Sequence, residues 1–289
     1  MNETAPLRDI RVLVTRARQQ ADQLSSRLTE VGAEVIEVPV IRIGPPDSWQ
    51  PLDAALRHLE EYDWVIFASV NSVESCLARL GYAGKKIEDL QSLRLAAIGP
   101  ATAEAMSLCG LQPTFCPSQF VGEVLVNEFP GYPTLSGVKI LWPRTNVGRQ
   151  LVVDKLQEAG AQVDVVPSYK TSEPEDKEAV AGLLFQMIRE RRIDVITLAS
   201  AQSARNFASL LELGLKRAAG KQGALLVTLA ELLANVRVAT IGPETAAATR
   251  KVLNKVDIEA EQYTIDGLVQ ALVQHAGKNP SGLPETAKL

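Results

Sequence analysis

IRVLVTR (Ile10–Arg16) and GAEVIEVPVIRI (Gly32–Ile43) return further along the chain as VKILWPR (Val138–Arg144) and GAQVDVVPSYKT (Gly160–Thr171). The register is strict. Arg16 and Arg144, Gly32 and Gly160, Pro39 and Pro167, and Ile41 and Tyr169 each stand 128 positions apart. Two further units recur. YDWVIFASVNSV (Tyr62–Val73) matches IDVITLASAQSA (Ile193–Ala204), with Ser69 to Ser200 and Ser72 to Ser203 both 131 apart. LRLAAIGPATAEAM (Leu93–Met106) matches VRVATIGPETAAAT (Val236–Thr249), with Gly99 to Gly242 and Thr102 to Thr245 both 143 apart. The four units keep their order, and the offset grows only where loops lengthen. Two similar α/β lobes are expected, and a cleft between lobes is a favoured place for a ligand.

Composition sets the outer bounds. A chain of 289 residues suits two domains at roughly 100–200 residues each. Its 46% hydrophobic and 22% charged residues suit an ordinary soluble globule. No apolar run approaches the roughly 18 residues of a membrane span. MNETAPLRDI has neither a basic n-region nor an apolar core, and no Arg- and Ser-rich transit bias, so the expected compartment is the cytoplasm. A net charge of −4 without a Lys/Arg cluster argues against a nucleic-acid partner. The cysteines Cys76, Cys109 and Cys116 are odd in number and lack a C-x-x-C pair, which points away from disulfides and zinc. His58 and His275 have no neighbour at metal-ligand spacing, and a Ser–His–Asp triad is not expected.

Each unit reads as a strand running into a helix. Ile10–Val14 is a β-branched apolar run, and Ala17–Glu30 places Ala21, Leu24 and Leu28 at helical spacing before Gly32 stops it. Val35–Ile43, Val65–Ala68 and Leu95–Ile98 are the next strands, repeated as Val138–Trp142, Val163–Val166, Val195–Ala199 and Val238–Ile241. Asn71 or Ser72 is the expected cap of the helix through Leu80, and a further helix covers Ala101–Leu108. Lys216–Asn235 adds a helical segment absent from the first copy and offers Leu225, Leu229 and Leu232 as a buried stripe. Strands alternating with helices favour parallel sheets covered on both faces, in the manner of flavodoxin and Rossmann folds. Ile43–Pro51 and Lys170–Asp176 read as linkers. From these residues alone, the N-terminal piece either joins the C-terminal half in one lobe or does not.

Several loops can carry chemistry. Gly99-Pro100-Ala101-Thr102 and Gly242-Pro243-Glu244-Thr245 each follow a strand and open a helix. Glycine admits a ligand close to the backbone, free N–H groups at a helix start attract carboxylates or phosphates, and Thr102 and Thr245 add a hydroxyl. The same features suit a plain strand–helix turn whose threonine satisfies its own helix start. Ser69, Asn71 and Ser72, with Ser200, Gln202 and Ser203, sit where ligands of open α/β sheets gather, and helix capping accounts for them as well. Neither loop fits G-x-G-x-x-G or a P-loop, so a nucleotide is not indicated. Arg16 and Arg144 close their strands and can each pair with a ligand carboxylate, or face solvent. Tyr169 replaces Ile41 of the first copy; a phenol, with an ordinary pKa of about 10, keeps its proton at neutral pH and can donate it.

Taken together these residues resemble uroporphyrinogen-III synthase. The likeness covers about Arg11 to Gln274 and rests on VLVTR, GAEVIEVPVI, FASVNSV, AIGPATA, the PSYKT tyrosine, LASAQSA, TIGPETA and the ending YTIDGLVQAL (Tyr263–Leu272). It implies residues 1–40 with 172–276 as one lobe, 44–167 as the other, a two-stranded connector near Pro39–Ile43 and Pro167–Thr171, and a disordered tail at 277–289. The implied reaction takes the linear tetrapyrrole hydroxymethylbilane, removes its hydroxyl as water, inverts ring D and closes the macrocycle, without metal or cofactor. It also implies Tyr169 as the group that protonates the departing hydroxyl. Thr102, Thr245, Ser69, Ser200, Ser203, Gly99, Gly242, Arg16 and Arg144 would then bind substrate, in a chain working as a monomer. Two rivals share the bilobal pattern: a small-anion binding protein without catalysis, and a glycosyltransferase-like enzyme, for which no diphosphate or acidic metal motif speaks.

Overall fold

The computed structural model describes residues 5–119, 122–145, 150–222 and 228–278. In chain order the elements are β1 (Arg11–Val14), α1 (Arg18–Glu30), β2 (Glu34–Glu37), β3 (Arg42–Gly44), α2 (Gln50–Arg57), β4 (Trp64–Phe67), α3 (Val70–Leu80), α4 (Ile87–Gln91) and β5 (Arg94–Ala97). Then come α5 (Pro100–Leu108), α6 (Gly122–Glu128), β6 (Lys139–Arg144), α7 (Gln150–Glu158), β7 (Gln162–Pro167), β8 (Lys170–Ser172) and α8 (Lys177–Arg189). The chain closes with β9 (Val195–Leu198), α9 (Ala201–Gln222), α10 (Leu229–Leu232), β10 (Arg237–Thr240), α11 (Pro243–Leu253), β11 (Ile258–Glu259) and α12 (Ile265–Lys278). No described helix is long and apolar enough to cross a membrane.

The chain divides into two compact units, residues 1–42 with 172–289, and 43–171. The first holds a parallel five-stranded sheet in the order β11-β10-β9-β1-β2, the second a parallel four-stranded sheet in the order β5-β4-β6-β7. The two orders correspond strand for strand across the repeat: β10, β9, β1 and β2 match β5, β4, β6 and β7. Even β11 has a rudiment. Ala239 pairs with Ile258, and the equivalent Ala96 pairs with Phe115 as an isolated parallel bridge. Each unit therefore takes two strands from each copy of the sequence repeat. The two chain segments that pass from one unit to the other, β3 and β8, pair as a two-stranded sheet.

Alternation along the strands sends side chains to opposite faces, and both faces are covered. In the first unit Leu13, Ile196 and Val238 pack with Leu184 and Phe207, while Val12, Val14 and Ala239 pack with Leu24, Leu28 and Leu268. In the second, Val65, Phe67 and Leu141 pack with Leu56 and Val73, while Trp64, Ile66 and Ile140 pack with Phe129 and Leu156. Burying each such side chain is worth about 1.5–3 kcal/mol. In α1 the spacing works as expected, with Ala21, Leu24 and Leu28 fully buried. Gly32 ends it at φ +91°, where a Cβ would lie 2.4 Å from that of Ala5.

Four expectations change. The strand expected over Val35–Ile43 is broken into β2 and β3, because Pro39 has no N–H to donate; Val38 and Val40 still bond to the carbonyls of Val14 and Thr15. The cap of α3 is Ser69, not Asn71 or Ser72. The segment Lys216–Asn235 is not one helix: α9 runs to Gln222, and α10 is a separate turn with Leu229 and Leu232 partly buried, while Leu225 lies outside the described residues. Helix α12 takes in Gly277 and Lys278, and the rest of the expected tail lies outside the described residues.

One device recurs at the foot of each sheet. Asp194, ahead of β9, exchanges backbone bonds with Arg11 and Arg237, and its buried carboxylate accepts from the Arg11 N–H at 2.8 Å, from Nε at 2.9 Å and from Nη2 at 2.8 Å. That hydrogen bond raises the Arg11 pKa above its ordinary value. Asp63, its repeat equivalent, bonds Lys139 and Arg94 through its backbone, and its carboxylate accepts the Lys139 N–H at 2.9 Å. Hydrogen bonds to charged groups contribute about 1.5–3 kcal/mol. Asp194→Ala is expected to lower the unfolding free energy by about 2–3 kcal/mol, and Asp63→Ala, whose side chain is half exposed, by about 1 kcal/mol. Equilibrium urea unfolding of the two variants checks the size and the order.

Candidate active site

In parallel sheets the loops at the carboxyl ends of the strands gather together. In the unit of residues 43–171, those loops carry Ser69 after β4, Gly99 to Thr102 after β5, Arg144 at the end of β6, and Ser168 and Tyr169 after β7. Ser69 has extended backbone and accepts the Ser72 N–H at 3.2 Å, which caps α3. Its hydroxyl lies 3.1 Å from that of Tyr169. The half-buried Tyr169 thus crosses over the end of β6, the strand between β4 and β7, to reach Ser69.

Helix α5 begins differently. Gly99 stands at φ +103°, a conformation that disfavours L side chains, with Pro100 following, and no side chain caps the helix. Thr102 is buried, and its hydroxyl donates to the Ile98 carbonyl at 3.2 Å. The reading in which Thr102 satisfies its own helix start is therefore corrected: the hydroxyl turns back to the strand, and among the described residues no side chain caps the first-turn N–H groups. Arg144 is buried with its guanidinium 5.2 Å from the Trp142 ring, and burial lowers its pKa. Thr145 Oγ1 and Ser168 Oγ are buried without a hydrogen-bond partner among the described residues. Neither was singled out from sequence. Their signal is adjacency, since Thr145 follows Arg144 and Ser168 precedes Tyr169.

The other unit repeats the arrangement with changes. Ser200 accepts the Ser203 N–H at 3.0 Å, and Ser203 Oγ donates to the Ser200 carbonyl at 2.7 Å. Ile41 stands at the position of Tyr169, so this serine cap meets no phenol. Gln202 donates to Asn206, which donates to the Val40 carbonyl at 2.9 Å. Helix α11 starts at Gly242 and Pro243, again with no side-chain cap, and Thr245 is buried. Gly242 has extended backbone; its glycine is needed for space, because a Cβ would lie 2.8 Å from the Tyr263 ring. Tyr263 is thus part of this edge, and sequence reading placed it only in a terminal motif.

Arg16, at the end of β1, is mostly buried, and its Nη1 has no hydrogen-bond partner among the described residues. Burial lowers its pKa, yet an arginine remains charged. No carboxylate among the described residues pairs with it, and a desolvated guanidinium suits a carboxylate partner. Among the described residues no cluster of His, Cys, Asp and Glu can hold a metal ion. In each unit the strand-end loops thus bring together backbone N–H groups, hydroxyls and an arginine, and in the unit of residues 43–171 a phenol joins them.

The family described as uroporphyrinogen-III synthase HemD matches residues 22–270. The uroporphyrinogen-III synthase of Synechococcus elongatus is 34% identical over 272 residues, 94% of this chain and 97% of that protein. A putative uroporphyrinogen-III synthase of Methanothermobacter thermautotrophicus is 28% identical over 92% of this chain and 98% of its own. Among solved structures, a mutant uroporphyrinogen III synthase of Thermus thermophilus superposes with a TM-score of 0.63 at 17% identity, covering 93% of this chain and 99% of that one. The synthetase of Helicobacter pylori reaches 0.56 at 12% identity, covering 92% and 99%. At those identities the structures speak for the fold.

The two glycines at the helix starts are expected to differ on substitution. Gly99→Ala forces a side chain into a left-handed backbone and should cost about 1–3 kcal/mol. Gly242→Ala needs only the largely exposed Tyr263 ring to move and should cost less. Thermal unfolding of both variants measures the difference.

Proposed function

The chain belongs to the uroporphyrinogen-III synthase family, and we propose how its residues divide the work of that reaction. The enzyme is a cyclising lyase of tetrapyrrole biosynthesis. It converts hydroxymethylbilane to uroporphyrinogen III with loss of water and inversion of ring D. We take residues 1–40 with 172–276 and residues 44–167 as its functional lobes. It works as a cytoplasmic monomer on this small-molecule substrate, without a nucleic-acid partner.

The substrate carries acetate and propionate arms on every pyrrole ring. The uncapped starts of α5 and α11, at Gly99 and Gly242, take carboxylates on backbone N–H groups, with Thr102 and Thr245 beside them. Arg16 and Arg144 pair with further carboxylates. Ser69, Ser200 and Ser203 complete the loops on either side. Unassisted ring closure gives the non-inverted isomer, so holding the bent chain in the geometry of the spiro intermediate is the main task.

Tyr169 is the general acid. Its phenol donates a proton to the departing hydroxyl, the carbon–oxygen bond breaks, and water leaves. The observation that carries this assignment is the 3.1 Å approach of the Tyr169 and Ser69 hydroxyls at the carboxyl edge of the sheet, where loop chemistry gathers.

Two predictions follow from these roles. Tyr169→Phe keeps the ring and removes the proton. General acid assistance contributes about 10²–10⁴-fold, and a turnover loss near the lower end is expected where positioning dominates, with little change in product affinity. The measurement is turnover of enzymatically generated hydroxymethylbilane, with the isomers of the oxidised product separated. Wild-type turnover removes Tyr169 as the acid, and type I product alone in the presence of the unmodified protein overturns the synthase reading. Thr245→Val should lower kcat/KM by about tenfold, the equivalent of one hydrogen bond to a charged group, and Thr102→Val by less, because its single proton already goes to the Ile98 carbonyl. In Thr102→Val the lost bond to Ile98 should also cost about 1 kcal/mol of stability. Kinetics and melting curves on the same preparations separate the two effects.

A further inference from the structure

We infer that Ser69 is a positioning residue that aims the Tyr169 phenol and steadies it after proton transfer; the inference rests on Tyr169 being the acid. The hydrogen-bond directions around Ser69 carry it. Ser72 Oγ donates its proton to the Ser69 carbonyl at 2.7 Å. The Ser72 N–H donates to Ser69 Oγ at 3.2 Å. Ser69 Oγ therefore accepts from the helix start and has one proton of its own to place. Among the described residues two oxygens lie within reach, Ser72 Oγ at 3.4 Å and the Tyr169 hydroxyl at 3.1 Å. The shorter contact takes the proton, so Ser69 donates to Tyr169. The phenolic proton is then without an acceptor among the described residues and available to the substrate.

The arrangement is a relay from the Ser72 N–H through Ser69 Oγ to the Tyr169 oxygen. It places the phenol one hydroxyl away from the positive end of α3. When Tyr169 gives up its proton, the carbon–oxygen bond of the substrate breaks with its electron pair on the departing water. The electron pair of the phenolic bond stays on the Tyr169 oxygen. A hydrogen bond to that oxygen favours the charged form, and chained bonds strengthen one another. The phenol regains a proton when the closed ring releases one. The other unit has the same serine pair, Ser200 and Ser203, but with Ile41 where the tyrosine stands. The cap is thus a feature of both copies, and only one of them has acquired a phenol to hold.

The test separates positioning from capping. Ser69→Ala removes both the cap and the donor. Ser69→Gly removes the donor but costs the helix start only a little, because glycine is tolerated there. Ser69→Thr keeps both. Expected are a five- to tenfold fall in kcat for Ser69→Ala and for Ser69→Gly alike, KM nearly unchanged, and recovery in Ser69→Thr. Melting temperature should fall further in the alanine variant than in the glycine variant. In a Tyr169→Phe background, Ser69→Gly should change kcat no further. Wild-type kcat in Ser69→Gly, or an equal fall in both backgrounds, overturns the inference while leaving Tyr169 as the acid. Wild-type turnover by Tyr169→Phe alone removes the acid itself, and this inference with it.

Discussion

The carboxylate of Asp194 governs the first sheet from its foot. By taking both the backbone N–H and the guanidinium of Arg11, it sets β1 against β9, while its own backbone sets β9 against β10. Side-chain bonds above it hold the same register. Thr15 donates to the Thr197 carbonyl at 2.7 Å, and Thr197 donates to that of Leu13 at 2.9 Å, all fully buried. In a parallel sheet, register determines where each strand ends. Arg16 and the Ser200 loop emerge at one edge because their strands start level. Asp63 does the same for β4, β5 and β6, and so for Ser69, Gly99 and Arg144.

The roles proposed for the residues at the two carboxyl edges account for how a chain with net charge −4 would handle a substrate rich in carboxylates. A basic patch is not needed when backbone N–H groups at uncapped helix starts supply the donors. The two kinds of loop divide accordingly. The serine loops cap their own helices and use up their donors internally. The glycine loops start their helices without a side-chain cap, and their threonines turn back toward the strand in one case and into the fold in both. Arg16 adds a guanidinium whose buried Nη1 lacks a hydrogen-bond partner among the described residues. In the proposed division of roles Tyr169 supplies the mobile proton. Geometry does most of the work, which suits a reaction whose difficulty is choosing one ring closure over another.

Much of this was legible in the sequence because it is local. Alternation, helical spacing and the glycine-proline turns mark the parallel strands, their helices and the loops after them, and the fold class follows from them. The motifs together also resemble the family to which the chain proves to belong. Where local reading slipped, a local competitor won. Pro39 cut a strand that its valines favour, and an extended Ser69 took the cap from Asn71 and Ser72. Asp63 and Asp194 went unremarked, because nothing in a strand's own pattern says that the residue before it will bind its neighbour. Thr145 and Ser168 were missed for the same reason: an orphaned hydroxyl is defined by its surroundings.

The sequence by itself determined that the chain is built from a duplicated set of strand–helix units, and which loops join a strand to the helix after it. It did not determine which strands share a sheet. In both copies the units carry the same edge chemistry, the same β-branched faces and the same aspartate. A strand such as β1 would therefore find nearly identical partners in β4 or β9. That choice is a difference between long-range contacts of equal local quality, and no window of sequence contains it. The tertiary structure resolves it by pairing β1 with β9 and β4 with β6, so that each sheet draws on both copies, and by pairing β3 with β8 where the chain passes over. The meeting of Tyr169 with Ser69 was decided in the same way, 100 residues apart in sequence and one hydrogen bond apart in space.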